Sequence, residues 1–253
     1  MKLSVLTGLT YLLGLANSMP VASKNVTSLQ IESLQKISNY HQTLQVSDLP
    51  ENATEDGLSG PCKPVTMIFA KGTFEDGNVG DGASPGPALI AQMRKTYGAD
   101  KIAVQGVPYA AGVEGQVNHF SLTMQLRYLL GGDPEGSERF LNLTNQASVN
   151  CPNTRFIISG YSQGAQLAHN AAKNFSPDVT SRVDAAVVFG DPKQTEPIGN
   201  IPPNKVLSIC HDGDIICKYS GGAAAHLNYS QDAVLAASFV TKMFTLSACA
   251  TAT

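Results

Sequence analysis

A chain of 253 residues, 43% hydrophobic and 15% charged, carries enough apolar side chains to bury the core of one domain, and its composition is that of neither a fibrous nor a disordered chain. Its net charge of -3, from 17 basic and 20 acidic residues, leaves no basic footprint for nucleic acid or an anionic membrane.

The chain opens with MKLSVLTGLTYLLGLANSMP: a lysine, an apolar stretch, then small residues at Ala16 and Ser18. This is the pattern of a secretory signal peptide over residues 1–18, cut after Ser18, and it is too short for a comfortable membrane span. No later stretch is apolar enough to cross a bilayer, so a soluble, secreted protein is expected. Residues 19–60 differ from the rest. Leu29, Ile31, Leu34, Ile37 and Leu44 recur at helical spacing, and VSDLPENATEDGLSGP after them is polar and turn-rich like a linker. This leader reads as a propeptide, a tether or a cover helix ahead of a main domain over residues 61–253.

From Cys62 onward strands and helices alternate. VTMIFAKG (65–72) reads as a strand and GPALIAQMRKTYG (86–98) as a helix; KIAVQGVPYA (101–110) is strand again. HFSLTMQLRYLLG (119–131) is helical, and a further helix starts at Pro134 and runs to about Gln146. TRFIISG (154–160) is a strand leading into a helix over 162–175. RVDAAVVFG (182–190) and KVLSIC (205–210) complete the strands, and SQDAVLAASFVTKMF (230–244) closes with a helix. Such alternation predicts one three-layer α/β/α sandwich around a mostly parallel sheet.

An exported chain should pair its cysteines. Cys210 and Cys217 flank a short loop and suit a local bridge, while Cys62 and Cys151 each precede a strand and suit a long-range one; spacing proves neither. Cys249 is left over, open to dimerisation, to a small thiol or to remaining free; a monomer is expected. With no C-x-x-C pair and no H-x-x-x-H, a zinc site is not indicated. Asn25, Asn52, Asn142, Asn174 and Asn228 head glycosylation sequons.

The chemistry centres on SGYSQGA (159–165), where Gly160-Tyr161-Ser162-Gln163-Gly164 fits G-x-S-x-G at a strand-to-helix turn. Such an elbow forces its central serine into a strained conformation and presents the hydroxyl at a helix N-terminus, where orphan N–H groups can hold an oxyanion. A serine nucleophile needs a base and a group that orients the base, and on this kind of sheet they follow in the order Ser, acid, His. Of five histidines, His226 lies in a loop beyond the last strand, where the base belongs. His41 sits in the leader, His119 precedes the serine, His169 lies two turns into the helix, and His211 is held beside Cys210. For the acid, Asp191, Asp212 and Asp214 all follow strand ends, and spacing does not choose among them.

CPNTRFIISGYSQGA (151–165), CHDGDIIC (210–217), HLNY (226–229) and AKGTFEDGN (70–78) together resemble the fungal cutinase family, esterases with a minimal α/β-hydrolase fold. The resemblance covers about residues 60–245. It implies Ser162 as nucleophile, His226 as general base and Asp214 as orienting acid, with the oxyanion held by Thr73 and the backbone N–H of Gln163. It also implies the disulfides Cys62–Cys151 and Cys210–Cys217. Thr73 stands where serine is frequent in the family, and Phe156 where an aliphatic residue is usual.

The activity implied is hydrolysis of cutin, a hydroxy fatty acid polyester, and of short-to-medium-chain acyl esters, with no cofactor and no metal. The apolar segments AAVVFG, IIC and GGAAAHL are candidates to receive an acyl chain. The alternatives are an acetylxylan esterase and a non-catalytic secreted effector on the same fold.

Overall fold

Strands buried on both faces read as unbroken apolar runs, and VTMIFA, FIIS and AAVVF are runs of that kind. The computed structural model describes residues 54–81, 84–111 and 131–250. Among them are five strands: β1 (Val65–Ala70), β2 (Ile102–Gly106), β3 (Arg155–Tyr161), β4 (Val183–Phe189) and β5 (Val206–Ile209). They form one sheet in the order β2-β1-β3-β4-β5, every neighbouring pair parallel. This is the expected three-layer architecture.

Alternate side chains of the central strands point to opposite layers. On one side Ile68 and Ala70 of β1, Phe156 and Ile158 of β3 and Val188 of β4 join Phe140 and Leu167. These last two come from α2 (Pro134–Asn150) and α3 (Gln163–Ala172). On the other side Met67, Phe69, Ile157, Val187 and Phe189 meet Leu89, Met93 and Val240. Those three come from α1 (Pro85–Tyr97) and α6 (Ala233–Ala250). Burying each such side chain contributes roughly 1.5–3 kcal/mol. Phe156, the departure from the aliphatic pattern, is fully buried and fits as core.

Helix starts follow local capping chemistry. Ser84 accepts from Gly86 N–H ahead of α1, and Asp133 accepts from Gly136 N–H ahead of α2. Ser176 accepts from Val179 N–H ahead of α4 (Pro177–Arg182), a short helix the sequence pattern does not announce. α3 stops at Ala172 rather than 175, and Ser176, held extended as the residue before Pro177, separates it from α4. The strand expected over 101–110 ends at Gly106, two residues before Pro108. The helix expected over 119–131 lies outside the described residues except for its last position, as do the signal peptide and residues 19–53 of the leader.

The last leader residues pack on the domain. Glu55 N–H donates to Asn78 Oδ1 at 2.8 Å, and Glu55 C=O accepts from Asn78 Nδ2 at 2.9 Å and from Gly106 N–H at 3.0 Å. The Glu55 carboxylate takes both arms of Arg94 on α1, at 2.7 and 2.6 Å. Leu58 N–H donates to Gln105 Oε1 at 3.2 Å. These bonds join residues at least 23 positions apart, so they hold the segment through tertiary structure. Their combined net worth is about 3 kcal/mol, at roughly 0.5 kcal/mol for each partly exposed bond. A protein shortened to begin at Pro61 should therefore melt about 6–12 °C below one beginning at Thr54. Thermal unfolding of the two proteins checks this, and equal midpoints would mean the segment adds nothing.

Candidate active site

The site lies beyond the carboxyl ends of β1, β3 and β5, where open parallel sheets expose their loops. β3 ends in the elbow. A Cβ on Gly160 would come within 2.3 Å of Gly164 O, and one on Gly164 within 2.0 Å of Ala70 O and 2.4 Å of Lys71 O. Both glycines are thus dictated by contact: the first lets strand and helix close on each other, the second lets α3 abut the end of β1. Between them Ser162 has φ 54° and ψ -117°, a left-handed conformation costly for a residue with a Cβ. Ser162 occupies the N-cap of α3 yet makes no capping bond. Its hydroxyl faces His226 instead.

After β5 the chain enters a loop closed by the Cys210–Cys217 disulfide, which carries Asp214. His226 is the last residue of a one-turn helix, α5 (Ala223–His226), rather than part of an open loop. The three side chains make a continuous relay: Ser162 Oγ lies 2.9 Å from His226 Nε2, and His226 Nδ1 lies 2.8 Å from Asp214 Oδ2. Ser162, His226 and Asp214 are 4%, 1% and 0% exposed, so the relay sits in a low-dielectric setting that strengthens its bonds. Asp214 Oδ1 accepts from Ile216 N–H at 2.8 Å. Burial pushes the Asp214 carboxyl up, but hydrogen bonds from His226, Tyr229 and Ile216 N–H outweigh it and hold the group below the usual carboxylate range. A serine, imidazole and carboxylate linked in this way can remove the hydroxyl proton as the oxygen attacks an electrophilic carbonyl.

The imidazole is held from several sides. Tyr161 stacks on it with centroids 5.1 Å apart and donates its O–H to His226 C=O at 2.6 Å. Burial, with the charges of Glu75 and Asp214 adding to it, pushes the Tyr161 phenol well above its usual range, so it remains a donor. Gly190, at φ 51°, leaves room for the ring: a Cβ there would lie 2.7 Å from His226 Cε1.

The loop after β1 carries Thr73. Gly72 N–H donates to Glu75 Oε2 at 2.6 Å, Tyr109 O–H to Lys71 C=O at 2.6 Å, and Phe74 N–H to Ala111 C=O at 2.7 Å. Within this braced loop Thr73 Oγ1 is buried without a hydrogen-bond partner among the described residues. An unpartnered buried hydroxyl costs free energy unless a ligand satisfies it. Because Gly164 touches Ala70 and Lys71, the loop and the start of α3, where Gln163 is the first residue, are neighbours.

The other candidates are occupied elsewhere. Asp191 Oδ2 lies 2.9 Å from His169 Nε2, both groups being buried, and Asp191 Oδ1 accepts from Lys193 N–H. His211 pairs with Asp232 at 2.7 Å, and Asp212 is exposed. Cys210, Asp214 and Cys217 lie close enough to suggest a cation site, but the two sulfurs are bonded to each other and the carboxylate already has three donors. Cys62 is bonded to Cys151. The segment AAVVFG is β4, its valines and phenylalanine wholly inside the two cores, and Ile215 and Ile216 are also buried; none of them offers an open acyl groove. Tyr161 and Tyr229 were not legible as site residues, although one sits inside the elbow motif and the other closes HLNY.

The cutinase family model matches residues 61–244. A cutinase of Blumeria hordei is 53% identical over 92% of this chain and 94% of its own length. Among solved structures, a Trichoderma reesei cutinase bound to a phosphonate inhibitor superposes with a TM-score of 0.68 at 32% identity, covering 92% of this chain and 96% of that one. The catalytic core of an acetyl xylan esterase from Trichoderma reesei gives a TM-score of 0.56 at 20% identity over 72% of this chain and all (100%) of its own, a likeness of fold alone.

Proposed function

The chain belongs to the cutinase family, and from that premise we propose that it is a secreted serine esterase that cleaves cutin and short-to-medium-chain fatty acyl esters. The observation that carries the reading is the unbroken relay from Ser162 Oγ through His226 to Asp214, at 2.9 and 2.8 Å. His226 Nε2 takes the hydroxyl proton as Ser162 Oγ attacks the ester carbonyl. The carbonyl oxygen gains charge and is held by Thr73 Oγ1 and Gln163 N–H. His226 then gives its proton to the departing alcohol, leaving an acyl-enzyme. Water, deprotonated by His226, attacks the acyl carbon; as the Oγ–acyl bond breaks His226 returns that proton to Ser162 Oγ, releasing the acid and the free hydroxyl. Asp214 keeps His226 in the tautomer with Nε2 unprotonated and stabilises the imidazolium that forms.

Export is supported by the signal-like residues 1–18 and by two disulfides, which persist in oxidising compartments. Among the described residues no helix is long and apolar enough to cross a membrane. The sequon residues Asn142 and Asn228 are exposed, within reach of glycosylation in a eukaryotic host, as is Asn174, whose sequon is followed by Pro177.

Initial rates of ester hydrolysis across acyl lengths from acetyl to palmitoyl, together with release of monomers from cutin, test the substrate. A maximum at short-to-medium fatty acyl chains and measurable cutin release are expected. Activity confined to acetyl esters would transfer the assignment to acetylxylan esterase chemistry. No turnover at any length would leave a binding protein on this fold.

A further inference from the structure

Asp214 is shared between two donors that differ in kind. Its Oδ2 receives His226 Nδ1 at 2.8 Å and the Tyr229 hydroxyl at 2.6 Å, while Oδ1 is taken by Ile216 N–H. Tyr229 is fully buried at the start of the 3-10 turn Tyr229–Asp232. Its oxygen accepts from His211 N–H at 3.0 Å, and its single proton points at the Asp214 carboxylate at 2.6 Å rather than at the Cys217 disulfide sulfur at 3.5 Å. The ring is fixed by His211, stacked at 4.0 Å between centroids, and by Phe189 and His226 edge-on at 6.1 Å each. His211 is itself held between Ala225 C=O and the Asp232 carboxylate, at 2.9 and 2.7 Å.

We propose that Tyr229 is a positioning residue for the acid of the relay, donating to the same Asp214 oxygen that binds His226 and so setting both the carboxylate's orientation and how tightly it holds the imidazole proton. This rests on the esterase reading above. A carboxylate oxygen that accepts two donors divides its charge between them. The phenol therefore withdraws charge that would otherwise stabilise the imidazolium, keeping His226 free to accept the serine proton. The phenol keeps its own proton throughout, because burial and the Asp214 charge push it far above its usual range. The titratable groups around it are Asp214 and His226, His211 with Asp232 behind it, and the phenol of Tyr161. Glu75 and Asp81 bear on Tyr161 at longer range.

The test titrates His226 directly, by 15N NMR of the ring nitrogens in the full chain, with kcat/KM against pH recorded on the same samples. The His226 signals are assigned by their loss in a His226→Gln protein, which separates them from those of the other four histidines. Tyr229→Phe removes one oxygen and keeps the ring. It should raise the His226 midpoint by about half to one pH unit, shift the acid limb of kcat/KM the same way, and lower kcat about three- to tenfold with KM unchanged. Replacing Tyr229 with 3-fluorotyrosine, a stronger donor, should move the midpoint the other way by a few tenths of a unit. Opposite displacements are not produced by a ring that merely fills space. A midpoint unmoved by either replacement overturns the proposal, whatever the melting temperatures do. If Tyr229→Phe does not fold, the fluorotyrosine protein, which keeps ring and hydroxyl, decides alone. The NMR midpoint needs no turnover, so failure of the esterase reading would show separately, as an unmodified protein without hydrolysis.

Discussion

Ser162→Ala should lower kcat for a soluble acyl ester roughly a millionfold while leaving the fold intact. The hydroxyl makes one hydrogen bond, to His226, and no capping bond to α3, so no structural element depends on it. Alanine meets the same left-handed strain at φ 54° as serine and adds none. The loss is chemical: without Oγ there is no acyl-enzyme, and His226 with Asp214 has no nucleophile to activate. A residual rate above that of water should persist, because oxyanion donors and substrate binding remain. Burst kinetics with a chromogenic ester measure this, with circular dichroism and a melting curve as controls for folding. Hydrolysis surviving at more than about a hundredth of the original rate would remove Ser162 from the chemistry.

Thr73→Val should cost about 10²–10³-fold in kcat, the usual toll for one oxyanion donor, with little change in KM. Valine keeps the shape of threonine and removes only the hydroxyl. Because Thr73 Oγ1 is buried without a partner among the described residues, its removal also relieves an unsatisfied polar group. The melting temperature should therefore hold or rise while activity falls. That opposition separates a donor kept for the transition state from a residue kept for packing. Thr73→Ser retains the hydroxyl and should stay within about fivefold of the parent. If Thr73→Val turned over at the parent rate, the oxyanion would have to be held by other groups.

How much of this was legible depends on the range of the forces involved. The strands could be read because burial on both faces demands an unbroken apolar run, and the elbow because its two glycines flank the serine at fixed spacing, one imposed by a contact inside the turn and the other by the end of β1. The acid could not be chosen from the residues alone. Asp191, Asp212 and Asp214 stand in equivalent positions after strands, and what separates them is tertiary: one is committed to His169, one is exposed, and one lies under His226. Family resemblance, not spacing, pointed to Asp214. Tyr229 was invisible because a buried aromatic near a helix start looks like core until its hydroxyl is placed. Residues 54–60 read as linker for a similar reason: they are polar and turn-rich, and their partners Asn78, Arg94 and Gln105 lie far along the chain. AAVVFG and IIC are apolar because they fill the interior and not because they receive an acyl chain: β4 serves two cores, and Ile215 and Ile216 are buried.

The clasp around Glu55 has a second consequence, for how the protein behaves among copies of itself. A parallel sheet ends in two strands with unpaired N–H and C=O groups, ready templates for another chain. β5, with four residues, offers a short template, and β2 a longer one. The segment from Glu55 to Leu58 runs along the outer side of β2, with an antiparallel bridge between Asp56 and Gln105 and the Gly106 N–H taken by Glu55. It thus occupies the end of that edge around Gln105 and Gly106, where a second molecule would otherwise add. The same short segment that braces the domain also covers backbone groups at this edge that would otherwise be open to another copy.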